Sequence, residues 1–138
     1  MKKLREILND VTVNNIVGDP EISIRNITKD SRMVNEGDVF ISIIGNNLDG
    51  TTFISDAIKN GAKCIISEKE FEIVNNDITY VFVESSRNSL AVISANYYEN
   101  PSRKLNLIGV TGTNGKTTIV DLLFNLYSFT CSLDEMVS

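Results

Sequence analysis

The chain has 138 residues, 42% of them hydrophobic and 22% charged, with a formal net charge of −5 and no histidine. That is enough for one ordinary core and fits a soluble globular protein, while the missing histidine excludes any His-based triad or His metal site. No basic cluster is present, which argues against nucleic acid as a partner, and no apolar run reaches signal-peptide or membrane-span length, so a cytoplasmic protein without a membrane partner is expected.

Leu4, Ile7 and Leu8 predict a short N-terminal helix. Ile22, Ile24 and Ile27 alternate loosely and read as a strand. The run 38–43 is apolar enough to be a buried strand. Phe53, Ile54, Ala57 and Ile58 fall on one helix face, with Gly61 placed to end that helix. Residues 63–67 and 79–83 read as two further strands. Ser85 or Ser86 can cap a helix through Leu90, Ile93, Ala95 and Tyr97, which Asn100-Pro101-Ser102 closes. Cys64 sits in an apolar strand and reads as a buried thiol; with Cys131 it forms no metal-binding spacing. Strands alternating with helices predict an α/β fold with a largely parallel sheet.

The densest chemistry lies at Gly109-Val110-Thr111-Gly112-Thr113-Asn114-Gly115-Lys116-Thr117-Thr118. The run Leu105-Asn106-Leu107-Ile108 before it reads as a strand, and Ile119, Leu122, Leu123 and Leu126 after it read as a helix. Strand, glycine-rich turn, Lys-Thr and helix together form a triphosphate cradle. Backbone N–H groups of residues 112–115 can make an anion nest, backed by the helix N-terminus. Lys116 would reach the β- and γ-phosphates of the nucleotide. The Thr117 hydroxyl would bind Mg²⁺, and Thr118 would help hold the phosphates. The spacing is shifted from the common P-loop: Val110 stands where its first glycine belongs, and Gly109 lies one residue early.

Two N-terminal clusters allow two readings. Asp30-Ser31-Arg32 can hold a sugar or phosphate, or can be an Asx turn with a solvated arginine. Gly45-Asn46-Asn47-Leu48-Asp49-Gly50 can be a binding loop or a plain strand-to-helix connection.

The shifted loop resembles the ATP loop of the Mur ligases, the amide-forming synthetases of peptidoglycan assembly. Asp30-Ser31-Arg32-Met33-Val34, Glu36-Gly37-Asp38-Val39-Phe40, Gly45, Asp49-Gly50, Phe53, Ala57, Gly61-Ala62 and Pro101-Ser102 agree with that family's pattern. The resemblance runs over about residues 20–127. It implies ATP-dependent amide ligation with Mg²⁺, a catalytic role for Lys116 in neutralising charge, and ATP contacts at Gly112, Thr113, Asn114, Gly115, Lys116, Thr117 and Thr118. It also implies a domain at 1–100 that holds the uridine end of a UDP-N-acetylmuramoyl dipeptide through Lys29, Ser31, Asn46, Asn47 and Leu48. Arg32 and Asp49 are expected to orient their loops. Thr51 stands where relatives tend to have histidine, so no histidine contact is carried over there.

Within the family, Thr-Gly-Thr-Asn resembles the branch that adds a diamino acid to UDP-N-acetylmuramoyl-L-alanyl-D-glutamate. The branch that acts next more often reads Thr-Gly-Ser. Residues 104–138 are expected to be the first strand, loop and helix of a central ATP-binding domain. A strand at 105–110 would be central and need neighbours on both sides, and the last eleven residues read as no helical continuation. The chain is therefore read as truncated and inactive alone. The rival readings are a fragment of the branch that acts next, a non-catalytic uridine-nucleotide-binding module, and an unrelated P-loop switch, against which last the N-terminal pattern argues.

Overall fold

The computed structural model describes residues 1–45, 49–73, 75–104 and 108–137, the side chains of 102, 104 and 130–137 excepted. Two compact units divide the chain, Met1–Ser102 and Arg103–Ser138.

In the first unit, β1 (Lys2–Lys3) leads directly into helix α1 (Leu4–Ile7). Then come β2 (Val13–Val17), β3 (Ser23–Ile24), β4 (Ile27–Thr28) and β5 (Val39–Ser42). Helix α2 spans Ile54–Lys59, followed by β6 (Cys64–Ser67), β7 (Thr79–Val83) and helix α3 (Ser86–Tyr97). The main sheet has the order β2-β7-β6-β5-β4. Strands β4, β5, β6 and β7 run parallel, as expected, and β2 joins β7 antiparallel at one edge. A separate two-stranded ribbon pairs β1 with β3.

The period of two along each strand sends alternate side chains to opposite faces. Val39, Ile41, Cys64, Ile66, Val81 and Val83 form one core with Leu4, Ile7 and Ile93. Phe40, Ile65, Tyr80 and Phe82 form the other, beneath Ile54 and Ala57 of α2. Phe71 packs edge-on against Tyr80 and Phe82, closing that face. Covered on both faces, β5, β6 and β7 are fully buried along their length. Each such Ile or Phe contributes about 1.5–3 kcal/mol by leaving water. Cys64 is a fully buried thiol whose burial pushes its pKa up.

Local caps fix the helix ends. The Ser85 hydroxyl accepts from the Asn88 N–H at 3.4 Å, and the Glu68 carboxylate accepts from the Ser86 N–H at 2.8 Å. Gly61, at φ +101°, turns the chain out of α2. The expected strand over Ile22, Ile24 and Ile27 is two short ones. The chain switches partners at Arg25 and Asn26, whose backbone groups bond to Gly37 and Val39 instead.

In the second unit, α4 runs over Lys116–Val137. It continues through residues 128–137, where no helix was expected, because that stretch holds neither glycine nor proline to stop it. The expected strand before the glycine loop falls partly on 105–107, outside the described residues. Residues 108–110 are not in a strand. No helix among the described residues is long and apolar enough to cross a membrane.

Candidate functional site

Strands β4 and β5 are parallel neighbours, so the loops leaving their carboxyl ends emerge on the same edge of the sheet. That edge is where open α/β sheets hold ligands. The first loop carries Lys29 and Ser31, and the second carries residues 45–49.

Asp30 builds the first loop by capping a single 3₁₀ turn, Ser31–Met33. Its carboxylate accepts from the Arg32 N–H at 3.0 Å, from Arg32 Nε at 2.9 Å and from a terminal guanidinium nitrogen at 2.7 Å. The side-chain bond from Arg32, then the backbone one, lowers the Asp30 pKa to about 2, and the same side-chain bond, then the carboxylate's charge, raises that of Arg32. Ser31 is 7% exposed, and its carbonyl accepts from Asn60 Nδ2 at 2.9 Å. Its hydroxyl makes no hydrogen bond to a described residue. Lys29, Ser31 and Arg32 line an open cleft of about 580 Å³ together with Asp30, Phe53 and Asp56.

The second loop is pinned at its stem. Ile44 and Asp49 form an antiparallel bridge, and the Gly50 N–H donates to the Ile43 carbonyl at 3.1 Å. Only glycine fits at position 50, because a Cβ there would lie 2.5 Å from the Ile43 oxygen. The Asp49 carboxylate accepts from Lys69 Nζ at 2.7 Å, from Thr51 Oγ1 at 2.7 Å and from the Thr51 N–H at 3.0 Å. The Lys69 bond leads in lowering its pKa to about 2, followed by those of Thr51. Asn46, Asn47 and Leu48, the contact residues expected here, lie outside the described residues.

Sequence reasoning missed Asp56, Asn60 and Lys69. Asn60 and Lys69 meet their partners across 29 and 20 residues of chain, a juxtaposition that no local spacing announces. A second cavity of about 430 Å³, between α2 and Phe71, has a more apolar lining and contains none of the expected residues.

The glycine loop belongs to the second unit. Gly112 and Gly115 have φ of +151° and +76°, values that side-chain-bearing residues rarely adopt. Nothing lies within 4 Å of a Cβ built at Gly115, so that glycine answers to backbone conformation and leaves open space beside the loop. The Gly115 carbonyl accepts from the Ile119 N–H at 3.0 Å, opening α4. The first N–H groups of that helix therefore have no intrahelical acceptor. Lys116 Nζ donates to the Gly112 carbonyl, folding over the turn. Thr111 to Val120 are all exposed. Open glycine backbone, a free helix N-terminus, a lysine and two threonines suit a polyphosphate with its cation. Among the described residues no group of three or more His, Cys, Asp or Glu could hold a metal alone.

A mostly parallel sheet with loops gathered at its carboxyl edge places the first unit in the open α/β class. The family described as "Mur ligase family, catalytic domain" matches residues 23–98, and the chain belongs to the Mur ligase family. Among its relatives is the UDP-N-acetylmuramoyl-L-alanyl-D-glutamate--2,6-diaminopimelate ligase of Clostridium tetani, 51% identical over 118 residues. That match covers 84% of this chain and 24% of the relative. The chain thus spans about a quarter of the length of the curated relatives it matches. Among solved structures, the UDP-N-acetylmuramoylalanyl-D-glutamyl-2,6-diaminopimelate--D-alanyl-D-alanyl ligase of Acinetobacter baumannii is 25% identical, with a TM-score of 0.60 over 84% of this chain and 25% of that one. The MurF ligase of Thermotoga maritima in complex with ADP is 36% identical, with a TM-score of 0.50 over 75% of this chain and 23% of that one.

Proposed function

We propose that the chain carries the substrate-holding and ATP-loop parts of a ligase that joins a diamino acid to UDP-N-acetylmuramoyl-L-alanyl-D-glutamate. The observation behind this is the Lys29–Ser31 cleft at the sheet's carboxyl edge, in a chain 51% identical to a ligase with that printed activity. The relative's name favours 2,6-diaminopimelate as the incoming amine.

In this reading residues 1–100 hold the uridine nucleotide. Lys29 offers a cation to its phosphates, the Ser31 hydroxyl offers a hydrogen bond, and 46–48 supply the remaining contacts. Residues 104–138 begin the ATP-binding domain. The backbone of 112–115 wraps the polyphosphate, Lys116 neutralises charge on the transferred phosphoryl group, and Thr118 steadies it. Thr117 is the residue that would hold Mg²⁺, which when bound supplies charge neutralisation between the phosphates. The ADP complex of the Thermotoga relative supports a nucleotide as a ligand of such a chain. Lys116 must leave the Gly112 carbonyl to reach a phosphate.

A second reading, a fragment of the branch that acts next, is favoured by the two solved structures, of a UDP-N-acetylmuramoylalanyl-D-glutamyl-2,6-diaminopimelate--D-alanyl-D-alanyl ligase and of a MurF ligase. Calorimetry separates the two. The UDP-N-acetylmuramoyl dipeptide should bind, and Ser31→Ala should weaken it. Tighter binding of the tripeptide form would favour the second reading, and binding of neither would defeat both.

A further inference from the structure

We propose that Asn60 is a positioning residue for Ser31, and hence for the uridine-nucleotide end of the cleft; this rests on the function just proposed. The turn at 30–33 is shaped mostly from within. Asp30 and Arg32 clamp each other, Thr28 Oγ1 bonds to the Asp30 backbone, and Asn35 Nδ2 donates to the Met33 carbonyl. These bonds fix the shape of the turn but not its place on the domain. Among the described residues, the one hydrogen bond onto the turn from a distant part of the chain is Asn60 Nδ2 to the Ser31 carbonyl, at 2.9 Å.

Asn60 is well anchored for that task. It caps the end of α2 at φ −80° and ψ −2°, and its N–H donates to the Asp56 carbonyl at 3.0 Å. The acceptor is a backbone carbonyl, so only the NH₂ end of the amide can make the contact. Among the described residues the Ser31 carbonyl otherwise receives only the Val34 N–H, at 3.4 Å. Phe53 and Asp56, from the turn before α2 and from α2 itself, line the same cleft. Asn60 therefore sets the distance between the wall that carries Asp56 and the turn that carries Ser31. The Arg32–Asp30 pair, more conspicuous in the sequence, lies within one wall and cannot set that distance.

A double-mutant cycle tests this. UDP-N-acetylmuramoyl-L-alanyl-D-glutamate is titrated into the full chain, Asn60→Ala, Ser31→Ala and the double variant. Loss of one hydrogen bond should weaken binding about three- to tenfold in Asn60→Ala. In the Ser31→Ala background the same change should cost less than about twofold, because the group it positions is gone. Asn60→Asp keeps the size but loses the donor, and should weaken binding at least as much as Asn60→Ala, with thermal unfolding showing that both variants are folded. An equal loss in both backgrounds, or no loss in Asn60→Asp, would overturn the proposal. If Ser31→Ala weakens binding and Asn60→Ala does not, only this inference falls. If the unaltered chain binds no nucleotide, the functional reading falls first.

Discussion

The chain builds two loops that lead into helices by opposite means. The loop after β5 is held by distant side chains: Lys69 grips Asp49, and Gly50 lies against the Ile43 backbone. The loop at 112–115 is shaped by its own backbone, through two glycines at positive φ and the first turn of α4. Around the first loop, Ile41, Ile65 and Ile66 are fully buried. Beyond the second, Leu122, Phe124 and Leu126 are 65%, 71% and 59% exposed. A loop of the first kind transmits damage to the fold, whereas one of the second kind can be altered with little effect on it.

The sharpest way to break this contrast is in the core. Ile65→Ala should cost about 2–5 kcal/mol by leaving a cavity between β6 and α2. Leu122→Ala should stay within about 0.5 kcal/mol. Urea unfolding measures both, and equal costs would erase the distinction.

Glycine replacement comes next. Gly50→Ala should cost about 1–3 kcal/mol, since the new Cβ meets backbone that cannot step aside. Gly109→Ala, with nothing within 4 Å, should be near neutral. A cap substitution is smaller: Ser85→Ala should cost about 1 kcal/mol, read as a lower melting temperature.

The subtlest effect is acid sensitivity. Asp30 and Asp49 are both held near pKa 2, below the ordinary carboxylate value near 3.8. Their contribution is therefore present above about pH 4 and lost as pH falls toward 2. Carboxyl-carbon NMR should give midpoints near 2 for both, and Lys69→Ala should raise that of Asp49 alone. A midpoint near 4 for Asp49 before the substitution would show that Lys69 does not hold it.

The legible parts of the fold were those with buried, regular strands. Residues 63–67 and 79–83 were readable because both faces are apolar, and β7 occupies the latter range without change. Strand β2 was not, because its sequence is Val-Asn-Asn-Ile-Val and a bulge interrupts its alternation. At the candidate site, Lys29 and Ser31 were named from the family resemblance, and both line one cleft. Asn60 and Lys69 were not, because a side-chain bond across 29 or 20 residues leaves no periodic trace.

That bulge has a consequence for solubility. Val13 pairs with Val83 and Asn15 with Phe82, so Asn14 is an extra residue on the sheet's exposed rim. At the other rim, β4 is only two residues long. Neither border offers the long, flat ladder that another chain's strand would need. Edge-to-edge pairing with another chain's strand is therefore disfavoured at both borders of this sheet.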